Sequence, residues 1–450
     1  MIAPARVAAY EVLHAVNARR TDLPHALAAA RAGLADERDR ALAGEIATGS
    51  LRWQGAFDHI VQATSGRSLS RFDSEVLDVL RMTMFQLLHL DRVPASAAVN
   101  DAVSLTRRAG KRSAAPLVNA LLRRVSRERQ QLPLPGRPAD GSDRAAALDY
   151  LTTTLSHPGW LAARWLDRHG LDAAESWMTF DNSPALLTLR ANVLKTSVPA
   201  LADDLRSHGV ETDPCRFAPH GLVVRRGNPL ATPLSSQGLF IVQDEASQLV
   251  SDVAGARPGE RVLDACASPG GKTLGMAASM LDKGALVATD LRGARVDLLA
   301  RTIRQSGATV VRVVRADASR PLPFAPRFDL VLLDAPCSGL GTVRRDPDIK
   351  WRRTEDDFPA LTDAQTRMLE ETAVVIRPGG RLVYSTCSSE PEENEMVVSR
   401  FLARHPEFEA SPARAAGRFV DGSGHFRTLP FRDGLEAFFA AVLVKRDVQQ

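Results

Sequence analysis

The sequence predicts a multidomain protein. An all-α bundle comes first, a small α+β unit follows, and an α/β domain built on a parallel sheet closes the chain. Three observations carry this. Apolar residues recur at helical spacing, without any strand pattern, up to about residue 130. A Pro- and Gly-rich stretch, Leu132-Pro133-Leu134-Pro135-Gly136-Arg137-Pro138 and then Asp140-Gly141-Ser142, reads as a linker. Beyond residue 239, short Val/Leu-rich runs alternate with helical patterns, as in strands covered on both faces by helices. The boundaries therefore fall at 1–135, 136–238 and 239–450, and 450 residues suit two or three domains.

In the first region the spacing predicts helices over 5–17, 24–33, 36–64, 74–90, 96–109 and 116–128. Gly33, Gly66 and Gly110 fall at their ends, and Pro94 and Pro116 near their starts. Eight basic residues between 104 and 129 (Arg107, Arg108, Lys111, Arg112, Arg123, Arg124, Arg127 and Arg129) face one acidic residue, Glu128. Such a cluster could neutralise several phosphates of an RNA, against the alternative of a solvated helix face. Thr48-Gly49-Ser50-Leu51-Arg52-Trp53, Leu80-Arg81-Met82, Leu90 to Asn100 and Leu117 to Arg124 resemble the NusB fold. That resemblance implies an all-helical RNA-binding module.

In the middle region Trp160, Trp165, Leu166 and Trp177 are anchors for packing between domains rather than for base stacking. Strands are expected at 186–192 and 221–225, with a helix from Val198 to His208 ended by Gly209. This unit could guide RNA.

Bulk properties exclude several classes. Hydrophobic residues make up 44%, ample for folded cores, and no apolar run reaches membrane-spanning length. Residues 1–20 are amphipathic without an apolar signal core, so the expected compartment is the cytoplasm. Cys215, Cys266, Cys337 and Cys387 form no CxxC pair, so no metal site is expected and the thiols should be free. A net charge of +4 is too small to imply nucleic acid by itself.

The third region carries the chemistry. Arg261-Val262-Leu263-Asp264 is a strand, followed by the Gly-rich turn Cys266-Ala267-Ser268-Pro269-Gly270-Gly271-Lys272 and an apolar helix. Glycines there let backbone N–H groups approach a ligand. The turn is no phosphate-binding loop, because Cys266 stands where that motif needs Gly, and GxGxxG is absent. Asp290, Asp317 and Asp334 then follow three further strands. Carboxylates at successive strand ends suit a nucleoside without a phosphate, such as S-adenosyl-L-methionine, with Asp290 on the ribose and Asp317 on the adenine amino group. As single residues they would be helix caps.

Asp334-Ala335-Pro336-Cys337 and Ser385-Thr386-Cys387 each place a thiol at the end of a strand. Carbon 5 of a pyrimidine is too weak a nucleophile to take a methyl from a sulfonium. A thiolate adding at carbon 6 makes carbon 5 enamine-like, and the adduct must afterwards be released. One cysteine could attack and the other assist release, and spacing does not say which. A free thiol ionises near pH ~8.5, so the site must favour thiolate. Asp334 could bind the ring nitrogen and amino edge of cytosine.

Asp264 to Thr273, Asp334 to Gly339 and Ser385 to Ser388 resemble three signature motifs of the RNA cytosine-C5 methyltransferases, the Nol1/Nop2/Sun family. Arg344-Arg345-Asp346-Pro347-Asp348-Ile349-Lys350-Trp351 and Pro391-Glu392-Glu393-Asn394-Glu395 strengthen the likeness. It implies a Rossmann-like S-adenosyl-L-methionine-dependent domain, Cys387 as nucleophile and Cys337 as release residue. It also implies a cofactor site of residues 266–272 with Asp290, Asp317 and Asp334. With the NusB-like front end it implies small-subunit rRNA, naked or in early assembly, as substrate of a monomer that binds neither membrane nor metal. tRNA is the nearest alternative substrate. A non-enzymatic RNA-binding or antitermination factor with an inactive fold, and a methyltransferase of amines or proteins, are the rivals. Two departures stand out: Ser268 where Ala is common, and Leu435-Glu436-Ala437 between Asp433-Gly434 and Phe438-Phe439. The basic residues Arg344, Arg345, Lys350, Arg352 and Arg353 are expected to seat RNA phosphates.

Overall fold

A computed structural model describes residues 2–447. They divide into two compact units, one of residues 2–184 with 343–354, the other of residues 185–342 with 355–447.

The first unit is helical. Pro4–Asn17, Leu23–Ala32, Glu37–Arg52, Gln54–Ser65, Ser74–His89, Ala95–Arg108 and Ala115–Arg127 pack around Ile46, Leu51, Phe57, Ile60, Val79, Met82, Leu105, Val118 and Leu122. Asp22 and Asp36 cap the second and third helices by accepting from His25 N and Arg38 N, so local chemistry sets those starts. Gly49 is there for contact: a Cβ on it would lie 2.1 Å from the Phe85 ring. The single helix expected over 36–64 is instead two, broken at Trp53. The cause is distant in sequence. The buried Ser156 hydroxyl accepts the N–H of Gly55 at 2.9 Å and of Ala56 at 3.4 Å, supplying a partner to the second helix's free N–H groups.

After the linker come Arg144–Asp149, a π turn Tyr150–Thr154, and helices Gly159–His169 and Leu171–Asn182. Trp165 and Trp177 are fully buried and stack with ring centroids 4.3 Å apart, so they are core of this unit. The segment 343–354 folds into the same unit. Lys350, expected to meet phosphate, is instead wholly buried and donates to Arg52 O at 3.0 Å and Asn182 Oδ1 at 3.3 Å. Trp351 Nε1 donates to Leu51 O, and Arg352 pairs with Asp348 at 3.1 Å. That segment is a structural plug wherever these side chains are engaged.

The second unit has two sheets. The smaller is antiparallel, in the order β2-β3-β1-β4, from β1 (Thr188–Ala191), β2 (Glu211–Pro214), β3 (Gly221–Arg226) and β4 (Phe240–Val242). The helix Val198–Ser207 packs on it through Leu201 and Leu205. A domain boundary at 238 falls between β3 and β4, inside this sheet.

The larger sheet has β5 (Arg261–Asp264), β6 (Ala285–Asp290), β7 (Val311–Arg315), β8 (Phe328–Asp334), β9 (Ile376–Thr386), β10 (Phe408–Ser411), β11 (Phe426–Arg427) and β12 (Phe439–Lys445). Their order is β10-β12-β9-β8-β5-β6-β7, with β11 on β12. The strands from β7 to β9 are parallel, and β12 lies antiparallel to β9. Side chains of β8 alternate between two cores. Leu330 and Leu332 join one with Val262 and Val383, while Val331 and Leu333 join the other with Leu263 and Tyr384. All four β8 residues are fully buried, at about 1.5–3 kcal/mol each. The strand order turns back between β5 and β8, and open α/β sheets bind ligands at the carboxyl edge of such a switch point.

Candidate active site

β8 and β9 run parallel with Asp334 opposite Ser385. That register sets the loops after the two strands side by side. Cys337 Sγ and Cys387 Sγ lie 3.3 Å apart, both sulphurs partly buried. The thiol of Cys337 is pushed well above its ordinary pKa, first by its hydrogen bond with Cys387, then by burial and by the charges of Cys387 and Glu393. Cys337 thus holds its proton at neutral pH.

Asp334 joins the end of β9 to the Gly-rich turn. Its Oδ2 accepts from Lys272 Nζ at 2.7 Å and its Oδ1 from Ser385 Oγ at 2.8 Å. Lys272 also donates to Ser247 Oγ at 2.9 Å and sits 5.4 Å from the Phe438 ring centre. Burial works to lower the Lys272 pKa, but the charge and hydrogen bond of Asp334 outweigh it and the net shift is upward. The lysine is therefore an ammonium at the floor of the site.

The turn itself is Cys266-Ala267-Ser268-Pro269-Gly270-Gly271, with a cis Ser268–Pro269 bond. Ala267 N donates to Thr289 O, and Gly270, at φ 110°, needs glycine to begin the helix Gly271–Ser279. Asp264 below it is buried, accepts from Thr273 Oγ1 at 2.7 Å, and is pushed up to about 7 by burial. Burial, then the carboxylates of Asp264, Asp290 and Asp334, raises the Cys266 thiol, so Cys266 stays neutral.

Asp290 ends β6 and is held by Arg295 Nε at 3.0 Å, while the same guanidinium donates to Ser268 O at 2.6 Å. Arg295 so ties the turn to the strand-end carboxylate. Asp317 lies two residues past β7 and accepts from Ser319 N and Oγ, which lowers its pKa. The structure brings Cys337 into direct contact with Cys387, and Asp334 into direct contact with Lys272 and Ser385. Asp317 stands apart from that contact set, engaged in its own turn. Sequence reasoning missed Arg295 and Ser247, and quoted Ser385 and Glu393 only within motifs. It also missed Gly341: a Cβ there would lie 2.0 Å from Ala437 O and 2.8 Å from Cys387 O. Through Gly341 O, which accepts from Ala437 N, the divergent 435–437 segment packs directly behind Cys387.

Comparison with known proteins converges on one group. A family model described as 16S rRNA methyltransferase RsmB/F matches residues 253–444, one for the NusB family matches 3–127, and a RsmF/B-like ferredoxin-like domain matches 157–231. The chain is 33% identical over 445 residues to the ribosomal RNA small subunit methyltransferase B of Pseudomonas putida, covering 98% of both. The chain belongs to the ribosomal RNA small subunit methyltransferase B family.

The probable enzyme of that name from Bacillus subtilis is 31% identical over 91% of each chain. Among solved structures, that of PH0851 superposes with a TM-score of 0.80 at 26% identity, covering 99% of both chains. A methyltransferase homolog from Pyrococcus horikoshii gives 0.57 at 28% identity, covering 67% of this chain and 99% of its own. As an RsmB/Sun family member with a NusB-like helical domain, a ferredoxin-like middle and a methyltransferase fold, the chain is an RNA methyltransferase. Its cofactor is S-adenosyl-L-methionine. The donor set fits that group: strand-end carboxylates around a glycine turn, with no phosphate-binding loop. Among the described residues no cluster is placed to hold a metal ion, and no helix is long and apolar enough to cross a membrane.

Proposed function

We propose that this chain methylates carbon 5 of a cytosine in small-subunit rRNA through a covalent bond from Cys387 to carbon 6. The observation that carries the reading is the pair of sulphurs 3.3 Å apart beside Asp334. Methylation of an exocyclic amine or of a protein needs no thiol pair. A cofactor bound by residues 266–272 with Asp290 and Asp317 supplies an electrophilic methyl.

Cys387 attacks as thiolate, and the raised pKa of Cys337 suits the partner that keeps its proton until release. Asp334, fixed by Lys272 and Ser385, accepts from the cytosine amino edge and so discriminates against uracil. Once carbon 5 carries the methyl, Cys337 gives its own proton to solvent and, as thiolate, takes the carbon-5 proton. The electron pair of that C–H bond forms the carbon 5–carbon 6 double bond, and the Cys387–carbon 6 bond breaks with Cys387 leaving as thiolate. A base inside structured RNA must be turned out to reach both sulphurs, at a cost of a few kcal/mol.

The regions 1–135 and 136–238 are read as the RNA-contacting parts of a cytoplasmic monomer acting on naked or early-assembly rRNA. Within the basic run, Arg108 pairs with Glu11, Lys111 with Asp73 and Glu75, and Arg124 with Glu128. Arg107, Arg112, Arg123, Arg127 and Arg129 are exposed and remain the candidates for phosphate contact, Arg123 donating to the neutral Asn119 Oδ1.

Transfer of labelled methyl to naked rRNA should vanish in Cys387→Ala, and undiminished transfer would remove Cys387 as nucleophile. Cys337→Ala should accumulate a protein–RNA adduct on a denaturing gel. Transfer to tRNA but not rRNA would reassign the substrate class.

A further inference from the structure

Both cysteine loops carry the same dipeptide, Cys337-Ser338 and Cys387-Ser388, and one carboxylate holds both. Glu393 is fully buried. Its Oε1 accepts from Ser338 N at 2.7 Å and Gln365 Nε2 at 3.0 Å. Its Oε2 accepts from Ser338 Oγ at 2.6 Å and Ser388 Oγ at 2.5 Å. Four donors thus converge on one anion, and bonds to an ionised acceptor are roughly twice as strong as neutral ones.

The anchor is itself fixed. Tyr384 on β9 donates its hydroxyl to Glu393 O at 2.6 Å. Gln365 also donates to Pro336 O at 3.0 Å, the carbonyl directly before Cys337. The neighbouring Asn394 accepts from Thr386 Oγ1 at 2.5 Å and donates to Ser388 O at 3.0 Å, bracketing Cys387. Ser338, Thr386 and Ser388, chain neighbours of the two thiols, thus bond directly to one short segment, 393–394, and Pro336 is linked to it through Gln365.

We propose that Glu393 is a positioning residue that sets the separation and orientation of the two thiols by holding Ser338 and Ser388 from below. It acts on the thiols through those two serines. The proposal rests on the reading in which both thiols act on one base, where a misplacement of about 1 Å can cost on the order of 100-fold in rate. Thiol spacing, however, can be measured without RNA.

The probe is phenylarsine oxide, a trivalent arsenical that bridges two thiols only when they are close, applied to the reduced full-length protein. Cys337→Ala defines the signal that belongs to this pair. Glu393→Ala should lose bridging to the level of that control. Its kcat for methyl transfer should fall about 100-fold, with KM for RNA and affinity for S-adenosyl-L-methionine near those of the parent. Parent-like bridging in Glu393→Ala overturns the proposal. So does loss of cofactor affinity together with rate, which marks general collapse. If Glu393→Ala fails to fold, Ser338→Ala and Ser388→Ala decide, each cutting one limb of the clamp: weakened bridging in both supports it, and parent-like bridging in both overturns it. A parent that bridges the arsenical yet methylates no cytosine would sink the reaction reading and leave the clamp standing.

Discussion

Two buried carboxylates, one in each unit, are treated in opposite ways. Glu393 accepts four hydrogen bonds from groups placed for it. Asp181 in the helical unit is also buried, yet its Oδ2 has no hydrogen bond, and its nearest basic atom is His157 Nε2 at 3.6 Å. Burial pushes Asp181 up to about 8, although the charges of Lys350, Arg344 and Arg52 pull the other way. Burial likewise drives Lys350 down to about 7 and His157 well below its usual range. A buried charge is stabilising to the extent that its lone pairs are filled, whatever the sign of its neighbours. The catalytic unit fills them where sulphur placement matters, and the helical unit leaves its cluster close to neutrality.

The largest effect should come from Lys350→Ala. It leaves a cavity and removes the donor to Arg52 O and Asn182 Oδ1. Two buried acceptors left without a donor cost about 1–3 kcal/mol each, read as a lower denaturant midpoint for the helical unit. A loss below about 1 kcal/mol would mean that Lys350 behaves as a surface cation and that the contrast is false. Next is Glu393→Gln, which keeps shape and removes charge. Two hydroxyl bonds fall from charge-assisted to neutral strength, about 1 kcal/mol each, so thermal unfolding should show a destabilisation near ~2 kcal/mol. A stabilised variant would show that the four donors do not compensate the buried charge.

Sequence patterning revealed most of this architecture for a physical reason: helix and strand periods are local, and β5, β6 and β8 are apolar runs ending in Asp. β2 was invisible because Glu211-Thr212-Asp213-Pro214 is mostly exposed and has no alternation. The break at Trp53 was invisible because its cap, Ser156, lies about a hundred residues on. Lys350 read as a phosphate ligand because a lysine among arginines is normally a solvated one; only tertiary burial reverses that. The thiols and Asp334 were legible because their strands end there. Glu393 was not, since Pro391-Glu392-Glu393-Asn394-Glu395 gives no sign of which acid turns inward. The repeated Cys-Ser dipeptide was the available signal that one partner serves both loops.

The effect of opposite sign, and the one that most sharpens the contrast, is that of Asp181→Asn. The same change from carboxylate to amide that destabilises at Glu393 should stabilise here. In the unfolded chain Asp181 ionises near 3.8, and in the folded unit near 8. Between those values the folded state keeps a proton that the unfolded state has released, so its contribution falls as pH rises through that window and levels off above it. The amide has no such titration. The Tm of the variant minus that of the parent should therefore be near zero at pH 4, grow towards pH 8, and flatten beyond. Lys350 and His157 are bases with lowered values, and each adds stability as pH rises, against the slope of Asp181; the Asp181 charge also raises Lys350, so the difference reports Asp181 together with its coupling to Lys350. A difference that is flat from pH 5 to 9 would mean that Asp181 is ionised and satisfied throughout, and the two carboxylates would then be alike.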